Sequence, residues 1–214
     1  MRTGLPDGAV IMLNHDGTSR AFRMEHTIGE GASCIAYEAT LIDGSNAGLR
    51  CRVKECYPYH AAITRRGSTL VWESGDERER AFQKLRTTHE LLLSLRNNDE
   101  IGNSIVVSSL YEGNGTLYMV MELNHAVTYD KDGDVSLHET LDTIRVLATH
   151  VRQLHRMGYL HLDIKPSNFL VRHHPSTAVW LFDVDSFTSL QEIASGNAVQ
   201  CTCTRNRTNK DGAN

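Results

Sequence analysis

Two hydrophobic periods follow one another along this chain. Apolar residues recur at alternate positions in Ala9 to Leu13, Phe22 to Ile28, Ile35 to Ile42 and Gly48 to Glu55, the pattern of half-buried strands. Residues 1–20 otherwise carry Gly, Asp and Asn and are expected to form a loose lead-in around the first strand. A three- and four-residue period then takes over at Phe82, Leu85, His89, Leu92 and Leu93, predicting a long helix with one apolar face. Ser74-x-x-Glu77 starts it, because serine and glutamate at this spacing satisfy each other's backbone donors. Strands follow at Ile105 to Leu110 and Gly115 to Leu123, around a turn at Glu112-Gly113-Asn114-Gly115. A second capping box, Ser136-x-x-Glu139, opens a helix that Gly158 ends. Its stripe of Leu137, Leu141, Ile144, Leu147, Val151 and Leu154 is assigned to the core. Asn168 to Val171 and Ala178 to Phe182 read as short strands joined by the polar turn His173 to Thr177. Residues 197–214 show no such period and too little apolar surface to offset the entropy of ordering, so disorder is expected there.

Composition excludes several function classes. The 214 residues suit one large or two small domains. A formal net charge of −4 gives no basic footprint, which argues against nucleic acid as a partner. No apolar run reaches the ~18 residues of a membrane span, and the N-terminus lacks the plan of a secretory signal. Five scattered cysteines read as reduced thiols in a cytoplasmic protein. Cys201-x-Cys203 has no second Cys or His pair to complete a metal site. Asp130, Asp132 and Asp134 alternate as in a calcium loop, but Gly133 falls at the fourth position rather than the sixth, so this segment is read as a turn.

The chemistry concentrates in His161-Leu162-Asp163-Ile164-Lys165-Pro166-Ser167-Asn168 and, downstream, Phe182-Asp183-Val184-Asp185. Phosphoryl transfer needs groups of these kinds. One carboxylate accepts the proton of the attacking hydroxyl, one cation offsets charge on the moving phosphoryl group, and an amide oxygen with a carboxylate holds Mg2+. Pro166 fits a loop, and the hairpin predicted after Asn168 would set Asn168 and Asp183 beside each other. The run resembles the catalytic loop and metal-binding segment of the protein kinase family, H-R-D-x-K-x-x-N followed by D-F-G, with Leu162 in place of Arg and Asp185 in place of Gly. Gly29-Glu30-Gly31-Ala32-Ser33-Cys34 is similar to that family's glycine-rich loop, with Cys34 at the third glycine and Ala36 at the valine. Lys54, twenty-three residues past Gly31, falls about where the family places the lysine that contacts the α- and β-phosphates.

The resemblance covers Phe22 to Gly196 and implies an α+β, bilobal protein kinase-like fold. Its parts would be a lead-in at 1–20, a complete antiparallel-sheet small lobe at 21–123, an incomplete, C-terminally truncated helical large lobe at 124–196, and the tail at 197–214. Asp163 and Lys165 would be catalytic, Asn168 and Asp183 would hold Mg2+, and Gly29, Gly31 and Lys54 would contact ATP. The long helix would offer a glutamate to Lys54, with Glu90 the candidate and Glu79 the reserve. Met121 would stand beside adenine, and Glu122 and Asn124 would lead into the hinge. The implied function is transfer of the γ-phosphoryl group of Mg-ATP to a protein substrate, and Lys165 favours serine or threonine over tyrosine. Leu162 removes the arginine that would clamp a phosphorylated loop, implying activity without that switch. Glu55-Cys56-Tyr57-Pro58, Leu70-Val71-Trp72-Glu73 and Asn114-Gly115-Thr116-Leu117-Tyr118 resemble runs of a bacterial serine/threonine kinase subgroup. A nucleotide-binding pseudokinase or interaction module is the alternative, and a small-molecule kinase, which generally lacks the counterpart of Lys165, a third. An incomplete large lobe would expose the apolar underside of the second helix, for a partner to cover.

Overall fold

The computed structural model describes residues 2–123, 125–129, 133–183 and 187–195. Strands β1 (Val10–His15), β2 (Thr18–Glu30), β3 (Cys34–Leu41) and β4 (Arg50–Cys56) run antiparallel in sequence order. A small hairpin, β5 (Ile63–Arg66) and β6 (Thr69–Trp72), leads into helix α1 (Gly75–Arg96). Strands β7 (Ser108–Gly113) and β8 (Thr116–Glu122) then complete a closed barrel in the order β1-β2-β3-β4-β8-β7.

The lead-in is not loose. The pairs run from Val10↔Arg23 to His15↔Thr18, and Asp16 and Gly17 between them adopt φ of 47° and 76°. An Asp-Gly pair with both φ positive is the two-residue turn that matches strand twist, so β1 joins the barrel instead of trailing from it. Asn114 and Gly115 repeat the device between β7 and β8, with φ of 50° and 73°. There the glycine is needed twice, since a Cβ on Gly115 would lie 2.2 Å from Leu70 O.

Alternation along the strands divides the buried residues into two cores. Leu13, Phe22, Met24, Tyr37, Val53 and Tyr118 fill the barrel. Its interior is also polar. Glu55, fully buried, accepts hydrogen bonds from Tyr37 Oη at 2.8 Å, Tyr118 Oη at 3.0 Å and Arg65 Nη2. The second core sits between barrel, α1 and the residues beyond, where Leu85, Leu92 and Leu95 of α1 meet Met119 and Met121 on the opposite face of β8. Leu93, placed by spacing on the apolar face of α1, is exposed, and Leu95 takes its place.

After β8 come β9 (Val127–Thr128), helix α2 (Leu137–Arg156), β10 (Tyr159–His161), β11 (Phe169–Arg172), β12 (Ala178–Leu181), β13 (Phe187–Ser189) and the short α3 (Leu190–Ala194). They form a sheet in the order β12-β11-β9 and the pair β10-β13. Both arms of the capping box form at the start of α2, and Gly158, at φ 82°, ends it. At α1 Ser74 Oγ accepts the Glu77 N–H at 3.3 Å. The stripe assigned to the core of α2 divides. Leu154 is fully buried and Leu147 packs on the core, but Leu137, Leu141 and Ile144 are 76%, 56% and 56% exposed. The physical reason is that α2 has two neighbouring apolar edges. The sheet side takes the edge running through Thr143, Val146, Leu147 and Leu154.

Of the cysteines, Cys51 and Cys56 are buried free thiols, and burial pushes Cys51 up to about 12. Cys201 and Cys203, the Asp130 and Asp132 positions, Asp185 and the expected tail lie outside the described residues.

Candidate active site

Strand parity builds one wall of the site. Cys51, Val53 and Glu55 turn into the barrel, so Arg52 and Lys54 emerge on the opposite face of β4, with Ala36 of β3 beside Lys54. They line a cleft of about 490 Å³ whose roof is the turn Gly29–Cys34 and whose floor includes Lys165, Asn168 and Asp183. A Cβ on Gly29 would meet nothing within 4 Å, and one on Gly31 would meet Cys34 O at 3.7 Å, so the two glycines leave open space under the roof.

The floor is set by local backbone chemistry. Lys165 is extended, as a residue before proline must be, and Pro166 starts the 3-10 turn Pro166–Asn168 that delivers Asn168 to the head of β11. Lys165 Nζ donates to Asp163 Oδ2 at 2.6 Å, and Asn168 Nδ2 donates to Asp163 O at 2.9 Å and Oδ2 at 2.8 Å. The Lys165 contact, with smaller help from Asn168 and His161, holds the Asp163 carboxyl below the usual range. His161 is buried, and its Nδ1 accepts the Asp163 N–H at 3.3 Å. Burial pushes this imidazole below its ordinary value, which suits the neutral acceptor form. Because Phe169 pairs with Leu181, Asn168 and Asp183 flank the same end of the β11–β12 hairpin, as the sequence predicts.

Lys54 is nine-tenths buried, and its Nζ lies 3.1 Å from Asp183 Oδ1. Neither predicted helix glutamate reaches it. Glu90 is exposed, and Glu79, also exposed, pairs with Arg86 at 2.9 Å. The reason is helical phase. At about 100° per residue, Glu79 and Glu90 stand roughly 140° and 120° around α1 from the side that lines the cleft. That side carries Lys84, whose Nζ donates to Ser33 Oγ at 3.0 Å.

The remaining predicted contacts separate. Met121 is buried in the second core and is not in the cleft wall. Glu122 lines a different cavity, of about 140 Å³, with Cys51 and Tyr111. Asn124 lies outside the described residues. Leu123 and Ala126, next to them, line a cavity of about 220 Å³ that adjoins the cleft.

Three functional neighbours escaped the sequence reading. Arg52 shares the strand parity of Lys54, a signal that was legible. Lys84 lies seven residues after Glu77 and three after Ala81 on one side of α1, legible only once the phase of the helix is known. Arg2 donates to Gly31 O at 2.8 Å, Glu30 Oε2 at 3.3 Å and Tyr57 O, tying the N-terminal segment to the glycine turn. No local pattern announces that contact.

The donor set fits Mg2+. Among the described residues there is no group of three His, Cys, Asp or Glu side chains able to hold a metal. Mg2+ relies on one or two carboxylates plus phosphate oxygens and water, so a sparse protein set is what it takes. Asn168, whose amide nitrogen is engaged by Asp163, would offer its amide oxygen and Asp183 its carboxylate.

Compared with the models of known protein families, the chain matches none. It is 25% identical over 178 residues to a probable serine/threonine-protein kinase, pknA2, of Bifidobacterium longum, an alignment covering 81% of this chain and 21% of that protein. It is 29% identical over 101 residues to calcium-dependent protein kinase 7 of Oryza sativa subsp. japonica, covering 45% and 17%. The chain thus spans about a fifth of the length of these curated relatives. Among solved structures, PpkA-294 in its apo form matches with a TM-score of 0.56 at 19% identity, over 86% of this chain and 62% of that one. The crystal structure of a kinase domain matches with a TM-score of 0.50 at 16% identity, over 78% and 51%. No described helix is long and apolar enough to cross a membrane. The chain is thus similar in sequence to serine/threonine protein kinases and in fold to a kinase domain, with a sheet-built small lobe above the β11–β12 hairpin.

Proposed function

We propose that the chain carries the catalytic apparatus of an ATP-dependent serine/threonine protein kinase acting in the bacterial cytoplasm. One observation supports this above the others: Asp163, Lys165 and Asn168 form a single hydrogen-bonded set, of which Lys165 and Asn168 line the same cleft as the Lys54–Asp183 pair. In this reading Asp163 Oδ2 receives the proton of the attacking serine or threonine hydroxyl. Lys165 leaves the Asp163 carboxylate for the γ-phosphate, which frees that oxygen to act as base. Lys54 grips the α- and β-phosphates beneath Gly29 and Gly31. Asn168 and Asp183 hold Mg2+, which when bound neutralises charge on the phosphate oxygens. The base lies toward the adjoining cavity of Leu123 and Ala126, beside the expected hinge.

A second reading, a nucleotide-binding module without transfer, is favoured by the lysine that α1 presents where a glutamate was expected. Thermal unfolding with and without Mg-ATP, with Lys54→Met and Asp183→Asn as controls, tests the site itself. At ~100 times the dissociation constant the ligand adds about 2.7 kcal/mol to stability. Phosphate transfer to a generic protein, lost in Asp163→Asn, then selects the kinase. Binding without any transfer selects the module, and no stabilisation sinks both.

A further inference from the structure

Two cavities meet at three side chains. The 490 Å³ cleft and the adjoining 220 Å³ cavity share Ile28, Arg52 and Thr128 in their walls. On one side stand Lys54, Lys84 and Lys165, a cationic chamber suited to a polyphosphate. On the other stand Leu123, Ala126, Val127 and Leu170, an apolar face suited to a flat base, with the ion-paired Glu38 and Arg50 also in the wall. A nucleoside triphosphate has both characters in one molecule and must lie in both spaces at once.

Arg52 stands in the walls of both. Its guanidinium carbon sits 4.3 Å from the centroid of the Phe182 ring, a close cation–π contact on a wall that is itself 3% exposed and packed into the second core. Ile28 of β2 and Thr128 of β9 are shared by the two walls as well. In the kinase strand pattern V-A-I-K the residue two before the lysine is alanine, whose methyl group would leave the junction of the two spaces open. Here that position is the longest cation available.

We propose that Arg52 is a gate between the base side and the phosphate side of the cleft, so that a nucleotide binds only by lifting the guanidinium from Phe182. This rests on the nucleotide-binding reading above. The gate discriminates by length: a short polyanion enters the phosphate chamber with Arg52 in place, whereas a ligand that spans both spaces must break the Arg52–Phe182 contact. Lys54 and Lys84 remain to neutralise phosphate once Arg52 has moved.

The test is titration of the full chain, its Arg52→Ala variant and its Arg52→Lys variant with Mg-ATP and separately with magnesium tripolyphosphate. Loss of one exposed-to-desolvated cation–π contact predicts ATP binding about tenfold tighter in Arg52→Ala, with tripolyphosphate no tighter than in the parent. Arg52→Lys, which keeps the charge but not the planar stack, falls between and guards against a folding defect in the alanine variant. Equal or weaker ATP binding in Arg52→Ala overturns the gate and makes Arg52 a plain ligand contact. An equal gain for tripolyphosphate also overturns it, because the obstruction would then lie within the phosphate chamber. If neither parent nor variants bind ATP, the nucleotide reading fails with it; parent binding unchanged by Arg52→Ala removes only the gate.

Discussion

Lys54 Nζ and Asp183 Oδ1 lie 3.1 Å apart across 129 residues of sequence, an ion pair that links the barrel to the end of the β11–β12 hairpin. The side chains are 11% and 24% exposed, so the pair is screened little by solvent. A double-mutant cycle with Lys54→Met and Asp183→Asn is expected to give a coupling of about 1–3 kcal/mol in urea unfolding without ligand. Additive single effects would show that the pair does not join the two parts energetically.

Glu55 carries the largest single stake in the barrel. Its carboxylate takes hydrogen bonds from Tyr37, Tyr118 and Arg65, and Arg65 is only 8% exposed. Removing the acid leaves a buried guanidinium and two hydroxyls without it, so Glu55→Ala should cost about 3–5 kcal/mol. Tyr118→Phe removes one donor and should cost about 1 kcal/mol. Chemical denaturation of the two variants checks the order, and a Glu55→Ala loss smaller than that of Tyr118→Phe would sink it.

Fold and site were legible in the sequence to different depths. Helix starts at Ser74 and Ser136, the Asn114-Gly115 turn and the hairpin after Asn168 follow from local rules, so each came out where expected. The residue adjacent to a known site proved harder. Glu90 and Glu79 fit by sequence distance, yet the rotation of α1 is fixed by Leu85, Leu92 and Leu95 docking on the second core, and that rotation presents Lys84. The α2 stripe was assigned to the core, but only its Leu147–Leu154 end packs there; the exposure of Leu137, Leu141 and Ile144 is the uncovered apolar underside expected of an incomplete large lobe.

Lys84 should read the phosphate and not the base. It lines the cationic chamber and holds Ser33 of the glycine turn. Lys84→Met is expected to weaken Mg-ATP binding about tenfold, the scale of one charge-assisted contact, with adenosine binding unchanged. Parallel loss of both ligands in calorimetric titration would assign Lys84 a role in shaping the turn alone.

Acid should destabilise the fold through its buried and half-buried histidines. Burial lowers His161, His150 and His89 below their ordinary value of 6.5. For His161 the nearby Asp183 and Asp163 pull the other way and Lys165 adds to burial. Since the unfolded chain binds these protons at higher pH than the folded one, the stability held by the neutral rings is full above about pH 6.5 and is lost as pH falls through the folded values. The urea midpoint should therefore drop between pH 7.5 and pH 5, and His161→Gln should drop less. A steeper fall in the variant would rule out His161 as a contributor.

Arg2 holds the glycine turn through Gly31 O and Glu30 while Leu5 N–H, three residues on, is bound to Tyr37 Oη at the barrel core. The segment from Arg2 to Leu5 is thus wired to the lip of the cleft. Any tag, dye or carrier domain fused ahead of Arg2 sits beside that lip, and an affinity measured on such a fusion reports the attachment as well as the protein. Labels placed on the exposed face of α2 leave the reading clean.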